Sequence, residues 1–186
     1  MGGIWVDYDL ETTIPGLYAI GEANFSDHGG NRLGASALMQ GLADGYFILP
    51  VTIGDYLSKK FAEPKTDINR PEFVEAEKAV QKRIDNLFAV KGTVPVDVLH
   101  KELGHIMWEY VGMARDAEGL KKAIKEIDEL KERFYKTVRV PGTQFEFNQE
   151  LEKALRLEDF FEIGKLMARD AYERNESCGG HFRIES

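Results

Sequence analysis

Cysteine is almost absent from this chain of 186 residues: Cys178 stands alone, so no internal disulfide can form. Equally missing is any apolar run close to the ~20 residues needed to cross a bilayer, so no direct membrane insertion is expected. No basic segment followed by an apolar core opens the sequence, which makes a reducing, cytoplasmic compartment the expectation. Positive charge is in short supply too, with 24 Lys and Arg against 32 Asp and Glu for a net charge of −8. A field of that sign repels phosphate backbones, so nucleic acid is not an expected partner. What is present is ordinary for a folded protein, with 43% hydrophobic and 30% charged residues. A domain typically takes ~100–150 residues, so one compact unit plus an appendage is expected.

Two stretches differ in grammar. Up to about Gly54 the chain is rich in glycine and turn residues, and its apolar runs are short. Residues 4–7 alternate like a short strand. Leu17, Tyr18, Ala19 and Ile20 form a continuous apolar run suited to a strand buried on both faces. That run ends at Gly21-Glu22. After a loop holding His28-Gly29-Gly30-Asn31-Arg32, the spacing of Ser36, Leu38, Leu42, Tyr46 and Ile48 is helical, so the loop feeds a helix N-terminus, where anions and oxygen-rich ligands are favoured.

Beyond Leu57 the pattern becomes charged and periodic, with a polar, proline-bearing joint at Glu63-Pro64-Lys65-Thr66-Asp67. A first helix begins near Asn69-Arg70-Pro71 and places Phe73, Val80, Ile84, Leu87 and Phe88 inward. A second carries Leu99, Leu103, Ile106, Met107, Tyr110 and Ala114 on one face. A third, capped by Asp116, carries Leu120, Ile124, Ile127, Leu130 and Phe134. Past Pro141-Gly142, two further helical stretches meet near Leu157-Glu158. The predicted fold is mainly α: a spectrin-repeat-like three-helix bundle over about 69–138 and a C-terminal helical pair over about 147–175. The boundary is set so that residues 1–57 form one segment and 58–186 the helical domain.

Gly21-Glu22, followed by Asn31-Arg32-Leu33-Gly34, sets a carboxylate and a guanidinium around one helix entrance. A guanidinium matches a carboxylate bidentately and stays protonated at any working pH, so Arg32 suits an acidic substrate. Glu22 suits the hydroxyls of a ribityl or ribose chain. On chemistry alone, the two could equally pair with each other or with backbone. His100 and His105 flank Glu102, but five residues turn a helix through ~500° and leave the two rings ~140° apart, so no metal site is expected there. Trp108 and Tyr110 fall within an apolar helical pattern and read as core or interdomain packing residues.

Several separated motifs resemble, in matching order, the flavoprotein subunit of succinate dehydrogenase and fumarate reductase. They are Met1-Gly2-Gly3-Ile4, Ile14-Pro15-Gly16-Leu17-Tyr18-Ala19-Ile20-Gly21-Glu22 and His28-Gly29-Gly30-Asn31-Arg32-Leu33-Gly34. Further on come Met107-Trp108 with Val111-Gly112 and Arg115, then Arg174-Asn175-Glu176-Ser177 with Gly179-Gly180-His181-Phe182-Arg183. The resemblance implies that residues 1–57 are the C-terminal fragment of an α/β FAD-binding domain. It implies that Arg32 grips a carboxylate of succinate or fumarate and that Glu22 holds the flavin. The backbones of Ala37 and Leu38 would approach the isoalloxazine ring. It further implies hydride transfer between substrate and FAD in a parent protein, electron exchange through an iron–sulfur subunit, and a parent lying peripherally at the inner face of the cell membrane through partner subunits. The sequence departs from that pattern at Gly30 and Gly180, where alanine is common, and at Cys178, where arginine is usual; Cys178 is assigned no role.

The family's glycine-rich dinucleotide loop, flavin-tethering histidine, substrate histidine and proton-shuttling arginine precede the segment matching Met1. The catalytic set in this chain is therefore incomplete, and the isolated chain is expected to be inactive, with no bound FAD. The 1–57 segment is expected to be disordered, rearranged or paired with another copy. Two other readings stand beside this one: a self-sufficient acidic helical binding module, and a related flavoprotein such as an L-aspartate oxidase.

Overall fold

The computed structural model describes residues 3–25 and 34–185. Two units can be distinguished: Met1–Thr66 with Cys178–His181, and Asp67–Ser177 with Phe182–Ser186.

In the first unit, the glycine-rich opening forms bridges rather than long strands. Ile4 pairs in parallel with Asn24, and Glu11 pairs antiparallel with Tyr18 around a turn in which Gly16 has φ +82°. A helical run follows, made of α1 (Ser36–Ala43), one wide π-type turn (Asp44–Ile48) and α2 (Leu49–Lys60). The wide turn sits just ahead of Pro50, which has no amide to donate to the preceding turn and whose ring crowds it. Val6, Leu10 and Ala19 are buried together against Ile48. The Thr52 hydroxyl donates to the Asp9 carbonyl at 2.9 Å, tying α2 to the opening segment.

The apolar run at residues 17–20, suited by composition to a strand buried on both faces, is only partly covered here. Only Ala19 is buried, while Leu17 and Ile20 are about half exposed. Among the described residues no neighbouring strand extends the pairing beyond the single bridge at Tyr18, so no layer covers either side chain.

The second unit is helical. It contains α3 (Pro71–Ala89), α4 (Val96–Tyr110), α5 (Ala117–Thr137) and α6 (Gln149–Glu173). Short parallel pairs join β1 (Val94–Pro95) to β3 (Val138–Arg139) and β2 (Ala114–Arg115) to β4 (Phe182–Arg183). Asp116 caps α5 by accepting from the Gly119 amide at 2.8 Å, and Asn148 caps α6 by accepting from the Leu151 amide at 3.0 Å. The core gathers Leu99 and Leu103 of α4, Ile127, Leu130 and Phe134 of α5, and Leu157 and Phe161 of α6. Phe134 meets the Phe161 ring edge-on at 5.5 Å.

Three features differ from the sequence reading. The helices that pack most closely on one another are α4, α5 and α6, with α3 lying against α6, rather than α3, α4 and α5. Residues 149–173 form one continuous helix with no joint at Leu157-Glu158. No proline interrupts that stretch, and both residues of the expected joint are buried in place. Gly164, inside α6, lets the helices meet closely, since a Cβ there would lie 3.1 Å from Met107 Sδ. Finally, Phe73 and Val80 are about half exposed, because only the C-terminal half of α3, through Ile84, Leu87 and Phe88, reaches the core.

At the end of the chain, Arg183 is buried and its Nη1 donates to the carbonyls of Ala171, Tyr172 and Arg174, closing the C-terminus of α6. Its Nε donates to Glu185, whose carboxylate also accepts from the Ala117 amide at the start of α5. Those two bonds hold the Glu185 carboxyl down at about 2, the backbone amide being the larger cause.

Candidate functional site

Glu22 sits on a single 3₁₀ turn, Gly21–Ala23, with its side chain on the exposed side. Gly21 makes that turn possible through a left-handed φ of +67°, a conformation that a side chain would disfavour. The turn packs on α1, where a Cβ at Gly41 would lie 3.4 Å from the Gly21 Cα. Two glycines thus let the carboxylate-bearing turn rest backbone to backbone on the helix.

Ala35, immediately before α1, is itself left-handed, with φ +61°, and supplies no side-chain cap to the first turn. The helix dipole is positive at that end. Ala37 is buried beneath the start of α1, while Leu38 is 68% exposed. Glu22, Ala37 and Leu38 are thus brought onto one helix and the turn that packs on it. Arg32, with His28, Gly29, Gly30, Asn31 and Leu33, lies outside the described residues.

Beside this helix is a cleft of about 450 Å³. Leu10, Asn24 and Asp44 line it as buried side chains, and Trp5, Tyr8 and Phe25 as exposed ones. Asp44 accepts from Gln40 Nε2 at 2.8 Å, and Asn24 Nδ2 donates to the Ala19 carbonyl at 3.1 Å. Of the site residues named from the sequence, Glu22, Ala37 and Leu38 do not line this cleft. Its two buried polar residues escaped notice there because neither Asn24 nor Asp44 falls in a spacing that marks a site. The one available signal was Asp44 as the sole charge in an otherwise apolar helical run.

The remaining candidates have local roles. His100 stacks on Phe160 at 5.5 Å, and no group of three or more potential metal ligands converges among the described residues. Cys178 is exposed and exchanges backbone hydrogen bonds with His181, which is buried. Trp108 is 84% exposed and so does not pack in the core of its unit. Nine residues along α4 rotate it about 180° from Leu99, onto the side away from the core. Arg115 donates to the Gly112 carbonyl at 2.6 Å, and burial together with the nearby Arg174 charge pushes its pKa down.

Residues 1–38 match the FAD binding domain model, and residues 100–186 match the model described as fumarate reductase flavoprotein C-term. The chain is 35% identical over 183 residues to the succinate dehydrogenase flavoprotein subunit of Bacillus subtilis, covering 98% of this chain and 31% of that protein. It is 34% identical over 186 residues to the fumarate reductase flavoprotein subunit of Haemophilus influenzae, covering 100% of this chain and 30% of that protein. Among solved structures, it is similar to Mycobacterium smegmatis Sdh1 in complex with UQ1, with a TM-score of 0.83, 30% identity, and coverage of 98% of this chain and 29% of that one. A quinol-fumarate reductase with menaquinol molecules is similar at a TM-score of 0.77 and 30% identity, over 98% of this chain and 30% of that one. The chain thus spans about 30% of the length of the relatives it matches. It belongs to the succinate dehydrogenase and fumarate reductase flavoprotein family, and corresponds to the C-terminal portion of the flavoprotein subunit.

Proposed function

We propose that this chain forms one wall of the flavin and substrate site in a flavoprotein that interconverts succinate and fumarate. The observation that carries this reading is the Gly21–Ala23 turn resting on α1, which puts the Glu22 carboxylate and the positive end of a helix on one scaffold. That donor and acceptor set fits FAD. A carboxylate accepts hydroxyl hydrogens from a ribityl chain, and a positive helix end favours the electron-rich edge of an isoalloxazine ring. FAD, when bound, supplies the two-electron chemistry of hydride transfer.

This chain's residues would bind and orient. Glu22 would hold the ribityl side, while the backbones of Ala37 and Leu38 present amides to the ring edge. Arg32 would grip a carboxylate of the diacid with its planar fork, fixing the substrate for in-line transfer. Electrons would pass to an iron–sulfur partner subunit, and the parent would sit peripherally at the inner face of the cell membrane through its partners. No helix of the described residues is long and apolar enough to cross a membrane.

Catalysis needs near-contact geometry among groups that this chain holds only in part, so the isolated chain should be colourless and inactive. The test of the flavin wall is to join the chain to the preceding portion of the Bacillus subtilis relative and compare Glu22→Leu with the unaltered protein. Flavin absorbance per protein should fall at least about tenfold after gel filtration, corresponding to ~1.4 kcal/mol of lost binding. Full flavin retention by Glu22→Leu would remove Glu22 from the site.

A further inference from the structure

On the side of α6 turned away from the core, Phe160, Ile163 and Met167 are 39%, 52% and 49% exposed, and Leu166 at their edge is 64% exposed. Glu152 and Arg156 precede them on the same side, and Asp170 and the C-cap residue Arg174 follow. Steps of three and four residues keep all seven within a stripe about 80° wide. An apolar centre on a solvent-facing stripe, rimmed by charge at both ends, marks a contact rather than a solvated face. His100 stacks on Phe160 at 5.5 Å and holds that ring in place before any partner arrives. The order of charge along the stripe identifies the partner. From its N-terminal end the stripe runs negative, positive, three apolar residues, negative, positive; from its C-terminal end every sign is reversed. Each charge therefore meets its opposite when the stripe is laid antiparallel on itself.

We propose that this stripe is an interface for a second copy of this chain, formed by two α6 helices packed antiparallel about a twofold axis at Ile163. The spacing fixes the register. Arg156 and Asp170 lie seven residues either side of Ile163, and Glu152 and Arg174 lie eleven either side, so each charge faces the opposite sign on the second copy. Phe160 and Met167, three residues before and four after, meet across the axis, where Ile163 meets its own equivalent. A twofold contact requires self-complementarity of this kind. Ordinary support between residues four apart accounts for Arg156 beside Glu152, which form an exposed ion pair within α6, but not for the apolar centre that follows them. A single helix-to-helix seam lies at the small end of specific interfaces, so the association is weak and reversible. The surface belongs to α6 alone and needs no flavin, which takes it beyond the flavoprotein reading.

The test is sedimentation equilibrium of the full chain from about 5 to 500 µM at ~50 mM salt, where exposed charge pairs are little screened. A monomer–dimer equilibrium with Kd of about 10–100 µM is expected. Ile163→Asp sets two carboxylates against each other on the axis and should weaken it at least about tenfold. Arg156→Asp and Asp170→Arg each place like charges opposite one another twice per dimer, and each should weaken it at least about fivefold. The double variant carrying both changes restores opposite signs across the interface, and its Kd should return to within about threefold of the unaltered chain. Far-ultraviolet circular dichroism checks that the helices of every variant remain formed. A monomer throughout the range, a dimer unmoved by Ile163→Asp, or a double variant no tighter than the single ones would overturn the proposal. Flavin is absent throughout, so none of these results bears on the flavoprotein reading, which the Glu22→Leu comparison tests separately.

Discussion

Removing Arg83 should destabilise the protein more than removing its buried partner Glu158, although both are members of one ion pair. The Arg83 guanidinium on α3 reaches Glu158 on α6 through Nη2 at 2.8 Å and Nε at 3.1 Å, and Nη2 also reaches Asp159 at 3.1 Å. The two sides are unequal in burial, with the Glu158 side chain 8% exposed and that of Arg83 45% exposed. Breaking a buried pair by removing one partner costs ~3–5 kcal/mol, because the remaining charge is stranded. Arg83→Met strands Glu158, though its side-chain hydrogen bond with Tyr135 remains, so about 2–3 kcal/mol is expected. Glu158→Met leaves Arg83 half in water and still bonded to Asp159, and should cost about 1 kcal/mol or less. Urea denaturation at neutral pH, followed by far-ultraviolet circular dichroism, measures both. Equal losses, or a larger loss for Glu158→Met, would refute the claim that burial of the carboxylate decides the energetics of this contact.

Two further outcomes follow from the helical unit. Phe134→Ala should cost about 3–5 kcal/mol, since Phe134 is fully buried against Phe161, and thermal or urea unfolding reads it directly. Glu185 has a folded-state pKa held down at about 2 by the Ala117 amide and by Arg183, so its stabilisation is fully present above the usual carboxylate range near 4.5 and is lost as pH falls toward 2. Glu185→Gln should therefore flatten that acid limb of the stability curve while leaving the neutral and alkaline parts parallel to those of the unaltered protein.

Much of this fold can be read from local chemistry, and the exceptions share a cause. The cap at Asp116 and the inward row from Leu120 to Phe134 are visible because α5 satisfies its own termini and spaces its apolar residues by helical turns. Phe73 and Val80 belong to an equally regular row, but periodicity identifies an apolar face without saying what covers it, and α3 meets the bundle only at its C-terminal end. The run at residues 17–20 has a composition that suits burial, while its neighbours here cover only Ala19. At Leu157-Glu158 a charged residue within an apolar pattern suggests a joint, yet Glu158 is buried in a continuous helix because Arg83 arrives from a helix about 75 positions away in sequence. That pairing is a tertiary event with no local signature.

The candidate site divides similarly. Glu22 stands out through its motif and the helix from Ser36 through its spacing, while Ala37 and Leu38 are singled out only by what the family resemblance implies. The Gly21 to Gly41 approach that holds them on one scaffold depends on two glycines 20 positions apart, which no local pattern connects. Arg183 is legible as part of a closing motif, but its work at the C-terminus of α6 appears only when the carbonyls of Ala171, Tyr172 and Arg174 are seen to converge on it.

The role proposed for Arg32 is to grip a carboxylate of the diacid substrate with its permanently charged fork. Steady-state turnover of fumarate and succinate by the joined protein, compared with its Arg32→Leu and Arg32→Lys forms, tests it most directly. Loss of at least about 100-fold in kcat/KM for Arg32→Leu, with flavin content unchanged and partial recovery in Arg32→Lys, is the expected result, equivalent to ~2.7 kcal/mol of transition-state stabilisation. Unchanged turnover in Arg32→Leu would contradict it.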